Sequence, residues 1–410
     1  MALIRWRAEN DKDPVTYLRA SQSQYGDIFH IDDGVIFIGH PSLIGRVLAR
    51  TNKDSVPDAD PLVGGRCPDQ EQRQQWMEAR RIATPVFRPA ALNEQTPKIE
   101  DRLSGSLQYL SKGGGWFSPA EDAWRISLRL ILGLYLPRED TGIERAIFAA
   151  FEGKPTGAVS RIPGWFPNRR RVRAQQSRQQ IAEEVDRLLE RTPREPGQGV
   201  SVLEQILGGP ELPPRKVAHN ALGIAPLRAM GALGGAWCWL FYWLAAQPQV
   251  VELIRSEAAS AQNNCTSDAL PYTFAFIKEI LRTRPPAWLV GRDCISNFEL
   301  GGYHVEKGST IVYSPYLVHH DERWWENPAT FTPSRWEGDS RPEQKYAYLP
   351  FGGGPRGCLG VNPALTILAA TAVELATKYR LEASDPDTVI NHFGSTLLPH
   401  GLRCRITPTL

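Results

Sequence analysis

Residues 221–247, ALGIAPLRAMGALGGAWCWLFYWLAAQ, constrain the fold more than any other segment of this chain. The segment carries one charge, Arg228, and no Asp, Glu, Ser or Thr. About 20 apolar residues are enough for a helix to cross a bilayer, so length alone permits a span. Its context argues otherwise. Pro226 and Arg228 sit in its first third, polar ELPPRKVAHN precedes it, amphipathic PQVVELIRSEAASAQ follows it, and no second such segment exists in the chain. A helix that is apolar all round and does not lie in lipid must be enclosed by other protein elements. The segment therefore predicts a buried central helix, and 410 residues are enough to surround it.

The rest of the chain reads as the enclosure. IFHIDDGVIFIGHP predicts a β-hairpin turning at Asp33-Gly34. Helical spacing of apolar residues dominates after residue 40: in SLIGRVLAR, in QEQRQQWMEARRIATPVF, over about 121–136, and in SRQQIAEEVDRLLERT. Long loops rich in Pro, Gly and Asp interrupt this at 52–70 and 154–171. Short strands return after residue 285 in WLVGRDC, FELGGYHVEKGSTIVYS and LPHGLRCRITP. With no repeat or linker, the expectation is one domain over 1–410, mainly α with small separate β-sheets.

A net charge of +2 excludes nucleic acid as the main partner, and the run Arg169, Arg170, Arg171, Arg173 reads as a solvated helix start. MALIRWRAENDKDP lacks the apolar core of a signal peptide and is too polar for a membrane anchor. Cys67, Cys238, Cys265, Cys294, Cys358 and Cys404 are scattered, with no CxxC pair, as in reduced cytoplasmic proteins. A functional cysteine must declare itself by its setting.

Cys358 does so. In YLPFGGGPRGCLGVNPALTILAATAVELATKY a glycine-crowded loop delivers it just before an apolar helix. Glycines admit close approach by a bulky planar ligand, helix N-terminal amides favour a thiolate, and Arg356 is placed to pair with an anionic group on that ligand. GGGPRG also satisfies the G-x-G-x-x-G dinucleotide pattern, but no βαβ series surrounds it. The loop resembles the haem-binding loop of the cytochrome P450 family, Phe-x-x-Gly-x-Arg-x-Cys-x-Gly, with Phe351, Gly354, Arg356, Cys358 and Gly360 filling each position. The likeness covers nearly the whole chain. Glu279 and Arg282 in KEILRTRPP, with Arg335 in FTPSRW, resemble the family's structural Glu-Arg-Arg triad. Trp76 and Arg80 resemble its Trp-x-x-x-Arg pair, and Arg292 another partner for a haem propionate.

The resemblance implies a P450 fold holding haem b, iron protoporphyrin IX, with Cys358 as iron ligand. It also implies an oxidation, most simply hydroxylation, of a hydrophobic natural-product intermediate of the terpenoid kind. Ferredoxin and ferredoxin reductase would be the electron donors. Residues 221–247 then become the helix over the distal face of the haem, where the family carries an acid followed by Thr that hold water for proton delivery. Those two positions fall on Gly231 and Ala232. The pair is missing, which leaves other chemistries open. Arg228 would bind a substrate carboxylate or phosphate in a peroxygenase. Trp237, Trp239, Phe241, Tyr242 and Trp243 would flank a carbocation in a redox-neutral cyclase, isomerase or dehydratase, although helical spacing sends several of them into the core. A haem sensor is the non-enzyme alternative. The substrate pocket is expected from the 60–75 loop, the 221–236 helix face, 285–290 and 394–399, with Ala287, Leu289, Val290 and Leu397 as apolar contacts.

Overall fold

A computed structural model describes residues 1–4, 13–57, 68–152, 169–195, 199–261, 266–337 and 342–409. The expected class is what it shows: mostly helices, with small sheets at the periphery. Cys67, Cys265 and the expected loop residues 60–67 lie outside the described residues. The remainder of that loop is partly helix, because Gln70–Ala83 starts on a capping box between Asp69 and Gln72.

The apolar segment forms the helix Ala225–Ala246, and Trp237, Trp239 and Phe241 are almost wholly buried in it. Each such side chain taken out of water contributes roughly 1.5–3 kcal/mol. The helix packs most extensively on Pro119–Tyr135, where Gly234 lies against the Trp124 ring. Helical structure starts earlier than the apolar segment, at Arg215, and passes through a widened turn at Asn220–Ile224. There the Ala225 N–H reaches back five residues to the Asn220 carbonyl. Pro226 follows, which has no N–H and would crowd the carbonyl four residues earlier in a regular helix. The helical stretch Arg215–Ala246 is long and apolar enough to cross a membrane, yet 67% of its most apolar window is buried against the rest of the chain.

The largest sheet runs in the order Ile28–Asp32, Val35–Ile38, Thr310–Tyr313, Val290–Cys294, Ser55–Pro57. Its first two strands are the expected hairpin. Val35–Ile38 pairs in parallel with Thr310–Tyr313, and the remaining pairs are antiparallel. A smaller apolar core, including Ile36, Ile44, Leu48, Ile311 and Leu349, backs this sheet.

A buried histidine, His319, ties the helical body to the segment that leads into the cysteine loop. Arg282 O can only accept, so His319 Nδ1 donates to it at 2.9 Å. Leu349 N–H can only donate, so His319 Nε2 accepts from it at 3.0 Å. One tautomer of neutral imidazole meets both demands. Burial, then the neighbouring His320, push His319 well below the ordinary histidine range, and burial lowers His320 to about 3. Unfolding frees both groups to bind protons near pH 6.5. Their stabilisation is therefore complete above that pH and declines as pH falls, by ~1.4 kcal/mol per pH unit for each group. His319→Gln keeps one donor and one acceptor but cannot titrate. Urea midpoints measured from pH 7 to 4 are expected to fall less steeply in that variant, and equal slopes would refute the assignment.

Candidate active site

A cavity of about 450 Å³ separates the central helix from the cysteine loop, within the usual range for small-molecule sites. Asn220, Ile224, Arg228, Ala232 and Ala236 form one wall at helical spacing. Phe351, Gly352, Cys358 and Gly360 form the opposite wall.

Hydrogen bonds within the chain hold the loop. Cys358 N–H donates to Phe351 O at 3.0 Å, and Arg80 Nη2 donates to Gly357 O at 2.7 Å. Gly354 has φ +68° and a Cβ there would strike the Leu48 carbonyl, so only glycine fits. This corrects the expectation that the loop's glycines serve ligand approach: Gly352 and Gly360 border the cavity, whereas Gly354 answers to Leu48.

Cys358 Sγ accepts one hydrogen bond, from Gly360 N–H at 3.2 Å. Burial raises its thiol above the ordinary range, against that hydrogen bond and the Arg80 charge, which lower it. The donor is the N-cap of the following helix, Val361–Lys378, as the sequence reading expected of a helix N-terminus. Metal coordination would offset the burial, since it deprotonates a thiol outright.

Four arginines meet on this cavity: Arg80, Arg228, Arg292 and Arg356. Trp76 lies between two of them, with Arg228 4.9 Å and Arg356 5.3 Å from its ring centre. Burial, then the charges of Arg80, Arg228 and Arg292, lower Arg356 to about 10. Arg356 Nε and Nη2 and Arg292 Nε are buried without hydrogen-bond partners. No Asp or Glu is among the described residues lining the cavity. A set of confined cations with orphaned donors, beside an apolar slot that ends at a sulfur, suits a flat apolar metal complex with carboxylates on one edge.

The match to known proteins is of the same kind. The cytochrome P450 family model matches residues 235–402. Cyclooctat-9-en-7-ol 5-monooxygenase of Streptomyces melanosporofaciens is 31% identical over 400 residues, covering 90% of this chain and 85% of that one. The chain belongs to the cytochrome P450 family. Thromboxane-A synthase of Rattus norvegicus is 35% identical, but over only 37% of this chain and 30% of its own length. The structure of retinoic acid bound cyanobacterial CYP120A1 superposes with TM-score 0.81 at 18% identity, over 98% of this chain and 96% of that one, which shows the shared fold. The family implies a haem iron cofactor, and the orphaned arginine donors and Cys358 of this P450 fit one.

Of the other expected residues, Trp76, Ala232, Ala287 and Val290 also line the cavity. Leu289 and Leu397 do not. Leu397 is buried in the main core, its N–H bonded to Pro286 O and its carbonyl to Trp239 Nε1, and Leu289 packs against that core. Gly231 does not face the cavity either; it points toward Phe151 and Thr396. Trp237, Trp239, Phe241, Tyr242 and Trp243 are absent from the lining, so the five aromatic residues expected to flank a carbocation do not border the cavity. Glu279, Arg282 and Arg335 come together behind the loop, with Arg282 bidentate on Glu279 at 2.7 and 2.8 Å and Arg335 at 3.5 Å. Asn220 was missed, although its spacing of eight residues from Arg228 puts it on the same helix face.

Proposed function

We propose that this P450 is a haem-thiolate monooxygenase that hydroxylates a hydrophobic natural-product intermediate of the terpenoid kind. One observation carries the reading: Cys358 and the apolar face of the central helix confront each other across a single cavity. Haem b bound through a cysteinate would supply oxygen activation with O–O bond cleavage. Arg80, Arg292 and Arg356, with Trp76, would hold its carboxylates, and Cys358 Sγ its iron.

The chain's remaining task is to present the substrate and keep water out. Ala229, Ala232, Leu233 and Ala236 on the helix, with Pro286, Ala287 and Val290 opposite, offer apolar surface without a charge. Asn220 and Arg228 are the polar groups on the helix wall, so the favoured ligand is apolar with one oxygen function. The name of the Streptomyces relative, a monooxygenase of a cyclic alkenol, supports such a substrate. Electrons would come from a ferredoxin and its reductase.

A second reading rests on Arg228, the guanidinium on the helix wall: a peroxygenase that orients a carboxylate substrate against it. Incubation with apolar alkenols and with their carboxylate analogues separates the two under three regimes: electrons with O₂, peroxide alone, and no oxidant. Alkenol turnover is expected with electrons and O₂. Turnover without any oxidant would sink the monooxygenase reading. Carboxylate turnover by peroxide alone, lost in Arg228→Ala, would replace it with the second. A haem sensor would turn over nothing in any regime.

A further inference from the structure

The strand that ends at Tyr313 brings a hydroxyl to the cavity wall that neither the core nor the arginines use. Thr310–Tyr313 alternates partly buried and buried residues, and the buried ones, Ile311 and Tyr313, belong to the smaller apolar core. On the neighbouring antiparallel strand Tyr313 pairs with Val290, and Ile311 with Arg292. Side chains of such pairs share one face of a sheet, and Val290, Arg292 and Tyr313 all line the cavity. Of the buried residues in the smaller core, only Tyr313 and Leu349 also border it.

Tyr313 is held in place. Ser314 Oγ donates to Trp288 O at 2.6 Å and accepts from Leu317 N–H at 3.2 Å, which pins the chain just past the strand. Arg292 lies over the Tyr313 ring, with Cζ 5.8 Å from the ring centre. Tyr313 has no exposed surface, yet its hydroxyl has no hydrogen-bond partner among the described residues. Arg292 Nε, Arg356 Nε and Arg356 Nη2 are in the same condition on the same cavity. Phe would fill the core equally well, and folded chains avoid a buried unpaired hydroxyl unless a ligand or water completes it. Burial raises Tyr313 above the ordinary phenol range, against the Arg292 charge, so at neutral pH the hydroxyl keeps its proton and can donate.

We propose that the Tyr313 hydroxyl is a neutral donor to the carboxylate edge of the cofactor, beside Arg292. An ionised carboxylate offers about four acceptor sites, so it can take a phenol as well as a guanidinium. The phenol adds a charge-assisted hydrogen bond without adding a fifth cation to Arg80, Arg228, Arg292 and Arg356, which already crowd one another. Arg292, stacked on the ring, directs the hydroxyl to the carboxylates rather than to the substrate. Tyr313 is thus a positioning residue for the cofactor. The proposal rests on reading the cavity as a haem-thiolate pocket.

The test follows transfer of haem from the substrate-free, haem-loaded protein to excess apomyoglobin, together with the reduction potential of the iron. Tyr313→Phe keeps the ring and removes the donor. It is expected to release haem roughly 10-fold faster, the loss of one hydrogen bond to a charged group. Its potential should fall, because a carboxylate without that donor leaves more negative charge near the iron. Ile311→Val, which trims the same core without removing a donor, should keep both at wild-type values. Equal acceleration in Ile311→Val would overturn the proposal in favour of packing. Unchanged release and potential in Tyr313→Phe would overturn it too, and weaker substrate binding in that same variant would assign the hydroxyl to the substrate. A wild-type protein without the red-shifted Soret band of a thiolate ligand would instead overturn the reading beneath it.

Discussion

Cys358→Ala is expected to remove the red-shifted Soret band of the reduced carbon monoxide complex and to reduce turnover to background. Among the described residues that line the cavity, Cys358 brings the only sulfur, and no histidine stands there to take over. Cys238, Cys294 and Cys404 are buried elsewhere and absent from the lining. Changes outside the coordination sphere of a metal typically cost 10–100-fold in affinity or activity, and loss of the ligand itself should exceed that range. The loop should survive the substitution, because its main contacts do not involve the sulfur: Cys358 N–H donates to Phe351 O and the Arg80 side chain to Gly357 O. Arg80, Arg292 and Arg356 also remain, so the variant should still take up haem, though more weakly. A variant that binds haem without the thiolate band isolates the sulfur as cause. Retention of the same band in Cys358→Ala would refute the assignment.

What the sequence disclosed and what it hid follow a physical division. Features set by neighbours along the chain were legible. Asp33-Gly34 marks its hairpin, all-round apolarity marks the central helix, and Glu279 and Arg282 meet because they are three apart on one helix. The cysteine loop was legible as a pattern, yet the reason for its central glycine was not, since the Leu48 carbonyl comes from a distant helix end. The pocket suffered most. Leu289 and Leu397 look like pocket residues in a linear reading, but Leu289 packs against the core, and hairpin register with the Pro286 and Trp239 contacts turns Leu397 there.

Glu279 is where a single substitution should cost the most stability. Its carboxylate accepts from Arg282 Nε and Nη2 at 2.8 and 2.7 Å, from Trp336 Nε1 at 2.9 Å, from Thr332 N–H at 3.0 Å and from Arg335 Nε at 3.5 Å. Glu279 and Arg282 have no exposed surface. Glu279→Ala leaves the Arg282 charge buried and uncompensated, which typically costs about 3–5 kcal/mol. Set against total stabilities of roughly 5–15 kcal/mol, that loss should lower the denaturant midpoint sharply. Glu279→Gln separates charge from shape. It can keep part of the hydrogen bonding but cannot neutralise Arg282, and it should recover only a minor share of the loss. The damage should also reach the haem side. Arg282 donates to His319 O and accepts through its own carbonyl from His319 Nδ1, His319 Nε2 accepts from Leu349 N–H, and Phe351, two residues on, anchors Cys358 N–H. Haem retention in Glu279→Gln should therefore fall under mild denaturant before the far-ultraviolet helical signal does. Simultaneous loss of the two would mean that the network supports the fold as a whole and not the cysteine loop in particular.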